Sequence, residues 1–425
     1  MKKIEFLGAK ETLYTEKLDC GLSVYMVQNL NIQNFYITLN VKYGSIYTDY
    51  ECDGEECHNP SGIAHYLEHL MFKMPDGDAF EYFTKLGSSA NAFTSYNVTC
   101  YEVFANSKFK ENLEYLIKYV YTPYFTKEVV NSERGIISEE IKMYDDNPSY
   151  VLIDKLKQNI YVNDKRRERV SGNINDLKEI TVDMIKNVYN TFYHPENMFM
   201  IITGNFNPEE AIAIINEKMK SFSFEPFKNP SLLGNSEPFE VNSEYEESKM
   251  NVNKSKVIIG IKIPKSNFKS LKISNVALRL YLNLIVKINF GSTSILNEEM
   301  KSNGIINRSI ENSLTETDDY YIQLFKTDTD YPDYFVNRVK DTFDNMTLTN
   351  EDIKRKIKIS LSDLIWMFDS IESVNMDIQD DILMYNTVLT DIYTIYRSLN
   401  NADALKIINK LDKKLYSVNI IYPNE

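Results

Sequence analysis

The sequence has 425 residues, 43% hydrophobic and 25% charged, the balance of a folded globular protein too long for one ordinary domain. Lys and Arg number 47 against 61 Asp and Glu, so the net charge is −14, which argues against nucleic acid as the main partner because phosphate contacts need clustered cations. Four cysteines, Cys20, Cys52, Cys57 and Cys100, are too sparse for a disulfide scaffold, and no apolar run of about 18 residues offers a membrane span.

The first segment, MKKIEFLGAKETLYTEKLDCG, lacks the apolar stretch of a secretory signal, so a cytoplasmic protein is expected. GLSVYMVQ and NFYITLNVKYGS are rich in β-branched and aromatic residues and read as strands. The Cys52, Cys57 and His58 group has no second Cys/His pair at finger spacing and reads as a surface loop. SGIAHYLEHLMFK has helical spacing, with Ser61 placed to cap it, and a second helix covers Ala79 to Leu86 and stops at Gly87. SANAFTSYNVTCYEVFAN reads as two strands and FKENLEYLIKYVY as an amphipathic helix. A long helix starts near Thr126 and carries SERGIISEEIKMYDD, and NMFMIITGNF is an apolar run of strand length.

Between Phe224 and Lys256 the periodicity lapses and Pro226, Pro230 and Pro238 mark a linker. Beyond it KVIIGIKIP and DYYIQLFK read as strands, and SNVALRLYLNLIVKI, YPDYFVNRVKDTF and NEDIKRKIKISLSDLIWMFDS as helices. The strand-then-helix order of the first half recurs at an offset of about 220 residues, the mark of an internal duplication. The expected architecture is α+β, with domains at 1–225 and 246–425 joined by a linker at 226–245.

Two of the four histidines lie in His65-Tyr66-Leu67-Glu68-His69. Residues i, i+3 and i+4 share one helix face, so both imidazoles and the Glu68 carboxylate point the same way. Two histidine nitrogens one turn apart suit zinc, and an adjacent carboxylate can take a proton from an attacking water. This is the H-x-x-E-H signature, the inverse of H-E-x-x-H. A catalytic zinc wants a third protein ligand, and the long helix offers Glu133, Glu139 and Glu140. Glu133 and Glu140 are two turns apart on one face, and spacing alone does not choose among the three. His194, before Pro195 at a strand entrance, reads as structural.

The chain resembles the insulinase (pitrilysin) family of zinc metallopeptidases, the inverted zincins that include mitochondrial processing peptidase. GIAHYLEHLMFK is similar to the family's zinc helix, SANAFTSYNVTCYEV to the strand pair after it, SERGIISEEIKMYDDNP to its E-R-x-x-x-x-x-E segment, and FYHPENMFMIITGNF to the strand ending its first domain. The likeness covers about residues 20 to 215 and is weaker beyond. It implies two homologous domains, each a mainly antiparallel sheet packed with helices, and one zinc ion per chain. His65 and His69 then fall on the zinc histidines, Glu68 on the general base and Glu140 on the distal zinc ligand, 140 − 69 = 71 positions on, a gap a few residues shorter than usual. Glu133 falls on an accessory glutamate, and Asn91-Ala92-Phe93-Thr94 on an edge strand that holds an extended peptide.

Active relatives also supply an Arg and a Tyr from the second domain to bind the oxyanion. Anchored on Gly304, those positions fall on Met300 and Asn307, with Arg308 out of register. The resemblance therefore implies an endopeptidase for short or unfolded peptides that pairs with a related zinc-less subunit supplying Arg and Tyr. The alternative is a non-catalytic scaffold of the same fold, but such relatives lose zinc ligands that this chain keeps.

Overall fold

The computed structural model describes residues 1–234 and 236–424. In chain order, β1 (Lys2–Phe6), β2 (Glu11–Lys17), β3 (Ser23–Gln28) and β4 (Phe35–Val41) lead to β5 (Asp49–Cys52), β6 (Glu55–His58) and α1 (Ile63–Met71). The short pair β7 (Lys73–Met74) and β8 (Gly77–Asp78) precedes α2 (Ala79–Leu86), β9 (Ser89–Thr94) and β10 (Thr99–Ala105). Then come α3 (Phe109–Val120), α4 (Lys127–Asp145), α5 (Pro148–Ile160), α6 (Ile174–Glu179), α7 (Val182–Phe192), β11 (Met198–Gly204) and α8 (Pro208–Met219). After β12 (Ser231–Leu232) the second half runs β13 (Tyr245–Met250), β14 (Ser255–Pro264), α9 (Asn275–Phe290), α10 (Ile295–Ser302), β15 (Glu311–Glu316) and β16 (Tyr320–Thr329). It ends with α11 (Pro332–Asp344), α12 (Asn350–Met367), α13 (Ile371–Tyr385) and β17 (Leu415–Pro423).

Two main sheets carry this order. The first is β1-β2-β3-β11-β4-β10-β9 and the second β13-β17-β14-β16-β15. In each, one central strand runs parallel to one neighbour and antiparallel to the other: β11 against β3 and β4, β17 against β13 and β14. The five strands β3-β11-β4-β10-β9 thus have the same order and directions as β13-β17-β14-β16-β15. The duplication expected from the sequence is present in the hydrogen-bonded topology, and the protein is α+β with two like domains.

The compact units are not contiguous in sequence. One comprises Met1–Ile141, Arg169–Gly234 and Leu364–Ile392; the other comprises Lys142–Glu168, Asn235–Asp363 and Tyr393–Glu425. This differs from the division at 225 and 246, and two helices make the difference. Helix α5 from the first half packs on β14 and β17, and α13 from the second half packs on β11 and β4. Helical periodicity reveals that a face is buried but not which sheet buries it.

In the first unit β4 and β11 are buried at every position, because helices cover both faces of the sheet. One face holds a large core with Leu39, Met200, Leu67 and Leu116; the other packs Phe199 and Ile201 on Val374, Ile378 and Ile382 of α13. Polar groups fix how α13 docks: Thr38 Oγ1 donates to Asn375 Oδ1 at 2.8 Å, and Gln379 Nε2 donates to Asn40 Oδ1. In the second unit Leu152 and Leu156 of α5 pack on Ile258 and Ile421. Gly260 admits that helix, since a Cβ there would stand 2.5 Å from Ile160 Cδ1.

Three local expectations are corrected. Cys52, Cys57 and His58 lie on the β5–β6 hairpin, not in a loop; Tyr50 pairs with Cys57 and Asp49 with His58, and all four cysteines are free thiols. The linker expected at 226–245 contains a strand, β12, and β13 starts at its last residue, Tyr245. β13 is YEESKM, which alternates exposed and half-buried residues at a sheet edge and so lacks the apolar pattern of a strand. The α1 cap is Gly62, at φ 89°, rather than Ser61, and it makes no side-chain cap bond. Here the chain crosses Gly172, and a Cβ on Gly62 would meet Ser171 O at 2.5 Å.

Candidate metal centre

Helix α1 buries Ile63, Leu67, Leu70 and Met71, and this sets which way its polar residues face. The Tyr66 hydroxyl donates to Val130 O, tying α1 to α4 one turn before Glu133. Helix α4 is fixed in turn by Arg134, whose guanidinium donates to Leu177 O at 2.9 Å and Ile180 O at 2.8 Å. The Glu-Arg pair at 133 and 134 thus serves two ends: the arginine locks the helix and the glutamate enters the site.

His65, His69 and Glu140 each present one ligand atom, all within 4.8 Å of one another, and among the described residues this is the one cluster of metal-ligating groups. His65 Nε2 is 3.8 Å from Glu140 Oε1 and His69 Nε2 is 3.4 Å from Glu140 Oε2. Ligands about 2.0–2.1 Å from one tetrahedral ion lie roughly 3.3 Å apart, so these separations need little adjustment to hold one. Glu133 goes elsewhere: its Oε1 is 3.0 Å from His69 Nδ1, and its Oε2 is 3.6 Å from Lys73 Nζ, which also donates to Asp78 Oδ2 at 3.2 Å. Glu133 thus meets the Nδ1 side of the His69 ring and Glu140 the Nε2 atoms of both histidines, a difference that spacing alone does not reveal. Glu139, the third carboxylate of the run, is exposed and outside the cluster.

The electrostatics suit a cation. Burial holds the His65 imidazole down to about 4, with His69 adding to this and Glu140 opposing it. Burial also works against protonation of His69, but Glu133, Glu140 and Glu68 outweigh it and raise that group to about 9. Carboxylates that stabilise a proton between them stabilise a divalent ion in the same place, and the neutral His65 nitrogen is already a ligand. The residues present therefore fit zinc.

Glu68 is 7% exposed, and burial pushes its carboxyl up to about 7 against the lowering effect of a Thr94 hydrogen bond. Thr94 Oγ1 donates to Glu68 Oε2 at 2.7 Å, a contact between residues 26 positions apart that spacing does not reveal. Asn91, Ala92, Phe93 and Thr94 all lie on β9, the last strand of the first sheet, whose outer side has no neighbour in that sheet. Ala92 packs toward the core that contains α1, and period-two alternation puts Thr94 on the same face, Asn91 and Phe93 on the other.

The other expected positions lie outside this cluster. His194 accepts the Glu196 N–H and stacks on Phe227 at 5.1 Å. His58 pairs with Asp49 at 2.7 Å. In the second unit Met300 is fully buried in α10, and Asn307 and Arg308 are exposed in the turn after it. All four histidines precede residue 195, so the second half has no counterpart of the H-x-x-E-H helix.

Residues 24–172 match the family model Insulinase (Peptidase family M16), and residues 179–357 match Peptidase M16 inactive domain. The uncharacterized zinc protease YmfH of Bacillus subtilis (strain 168) is 36% identical over 338 residues, covering 78% of this chain and 78% of YmfH. In fold the chain is similar to an M16-like peptidase from Alicyclobacillus acidocaldarius (TM-score 0.90, 22% identity, 97% of this chain and 99% of that one). It is also similar to a protease from Helicobacter pylori (TM-score 0.82, 19% identity, 97% and 99%). Two successive domain matches, a zinc-protease relative aligned over most of both chains and the His65, His69, Glu140 cluster lead to one assignment: the chain belongs to the insulinase family of peptidases.

Proposed function

We propose that the protein is a zinc-dependent endopeptidase in which His65, His69 and Glu140 hold the ion and Glu68 is the general base. The observation that carries this reading is one buried carboxylate, Glu68, on the same helix face as two histidines whose nitrogens converge with Glu140. Bound zinc would supply Lewis-acid polarisation of water and of the scissile carbonyl. Glu68 takes the proton from the attacking water and returns it to the leaving amine. Glu133 keeps His69 Nε2 turned toward the ion through its hold on Nδ1. Asn91, Ala92, Phe93 and Thr94 receive the peptide as an added strand on β9, which requires an extended substrate and so selects short or unfolded chains.

The partner and setting belong to the same proposal. By the resemblance Met300 and Asn307 fall where active relatives place Arg and Tyr, and neither offers the guanidinium or the phenol that this pair supplies. A related zinc-less subunit would supply that pair and close a chamber around the peptide, as in peptide processing or maturation in the cytoplasm. Co-purification should then recover a heterodimer whose activity exceeds that of the isolated chain. A fully active monomer or homodimer rules this part out.

The test of the core reading is metal analysis with a hydrolysis assay on an unstructured peptide. One zinc per chain is expected, with activity lost on chelation and restored by zinc. A metal-free chain as isolated, or activity indifferent to chelator, refutes it. Glu133→Ala should weaken zinc binding by about 10- to 100-fold, as loss of a group that orients a histidine ligand does. Competition with a chromogenic chelator measures this directly, and wild-type affinity in the variant would remove Glu133 from the site.

A further inference from the structure

β9 is both the strand proposed to receive substrate and the strand that touches the proposed base. Thr94, its last residue, donates from Oγ1 to Glu68 Oε2 at 2.7 Å, and among the described residues no other hydrogen bond reaches the Glu68 side chain. The position of that hydroxyl is closely determined. Thr94 pairs with Thr99 of β10, and buried Thr99 donates its own hydroxyl to Tyr43 O at 2.9 Å. The turn after Thr94 closes through Ser95 N to Val98 O at 2.8 Å. Ser45 N and Ile46 N then pin it, donating to Ser95 O and Tyr96 O at 3.0 Å each. Gly44 permits this approach: a Cβ there would stand 2.5 Å from Ser95 O and 2.6 Å from Tyr96 C. A threonine held from three sides has little freedom to follow the carboxylate, so the carboxylate follows the threonine.

We propose that Thr94 is a positioning residue that couples substrate capture to the base, its hydroxyl fixing Glu68 Oε2 so that Oε1 is the oxygen presented to the attacking water. The inference rests on the zinc-endopeptidase reading and adds to it the geometric link between the peptide-binding strand and the proton acceptor. A peptide added along β9 aligns its scissile bond to the same strand that aligns the base. One backbone thereby sets both reacting partners, which is where effective concentration in an active site comes from.

Thr94→Val keeps the shape and the β-branched preference of the strand but removes the hydroxyl, and Thr94→Ser restores a hydroxyl. In the zinc-loaded protein, with its partner where one co-purifies, T94V should lower kcat about 10- to 100-fold with KM and zinc content unchanged, and T94S should recover kcat to within about fivefold. In a crystal structure of T94V the Glu68 carboxylate should leave its wild-type position. Wild-type kcat in T94V, a rise in KM alone, loss of zinc, or an unmoved Glu68 carboxylate overturns the proposal while leaving the peptidase reading intact. A wild-type protein without zinc or chelator-sensitive hydrolysis overturns that reading, and this inference with it. The structural readout does not depend on turnover, so the two failures are told apart.

Discussion

Glu68→Gln should abolish peptide hydrolysis, lowering kcat by about 10²- to 10⁴-fold, while the protein still binds one zinc per chain. The amide has the size of the carboxylate, and its oxygen still accepts the Thr94 hydroxyl, so the 7% exposed site stays packed. What is lost is the capacity to accept a proton. Without a bound ion, burial pushes the Glu68 carboxyl up to about 7 against the Thr94 hydrogen bond, and a neighbouring cation would draw it back toward the ionised form that accepts a proton. Glu68 is not among the three groups that converge on the ion position, so metal content should not follow activity. His65→Ala and Glu140→Ala should instead lose both together, each removing one of three ligands. Side-by-side metal analysis and steady-state kinetics on the three variants decide the matter. Retained hydrolysis in E68Q, or zinc lost from it, ends the assignment of Glu68 as the base.

The site was legible in parts, for reasons that separate cleanly. His65, Glu68 and His69 are readable because helical periodicity forces i, i+3 and i+4 onto one face. Glu133 and Glu140 are readable as a pair on one face of α4 by the same rule. Their division of labour depends on how α4 is rotated against α1, which Tyr66 and Arg134 set through single hydrogen bonds to Val130, Leu177 and Ile180. A bond between a side chain and one chosen carbonyl leaves no trace in spacing. The Thr94 to Glu68 contact spans 26 positions and is illegible for the same reason. The fold shows a parallel limit. The strands β4, β11 and β14 announce themselves as apolar runs because both their faces are covered. β13 hides at an edge in an acidic stretch. The exchange of α5 and α13 between units is invisible because Leu156 and Ile378 look alike to a periodicity argument, whichever sheet receives them.

The largest expected effect on stability lies far from the site in sequence, at Lys262 and Glu237. Lys262 is completely buried on β14, a central strand, with its ammonium donating to Glu240 O at 2.8 Å and paired with Glu237. Glu237 accepts more than the lysine: Val162 N at 2.9 Å and Asn163 N and Asp164 N at 2.8 Å all donate to it. The two groups respond differently to this. Burial lowers the Lys262 amine despite Glu237, whereas Lys262 and the three backbone N–H groups overcome burial and hold Glu237 below the usual carboxylate range. Desolvation of the amine offsets most of the attraction, so the pair as a whole adds little, but removing one partner is not symmetrical. Glu237→Ala strands a buried ammonium and three N–H groups and should cost about 3–5 kcal/mol. Lys262→Met keeps the stem's packing and leaves Glu237 with its three backbone donors, so it should cost less than Glu237→Ala. The sign with pH follows from the carboxylate: its depressed value contributes stability above about 4.3, lost as pH falls through the lower folded value, and E237A should lack that loss. Urea unfolding of the two variants at neutral and acid pH reads all of this. Equal costs for E237A and K262M, or a larger cost for the lysine change, would mean that the glutamate's backbone bonds are not what the segment at 162–164 depends on.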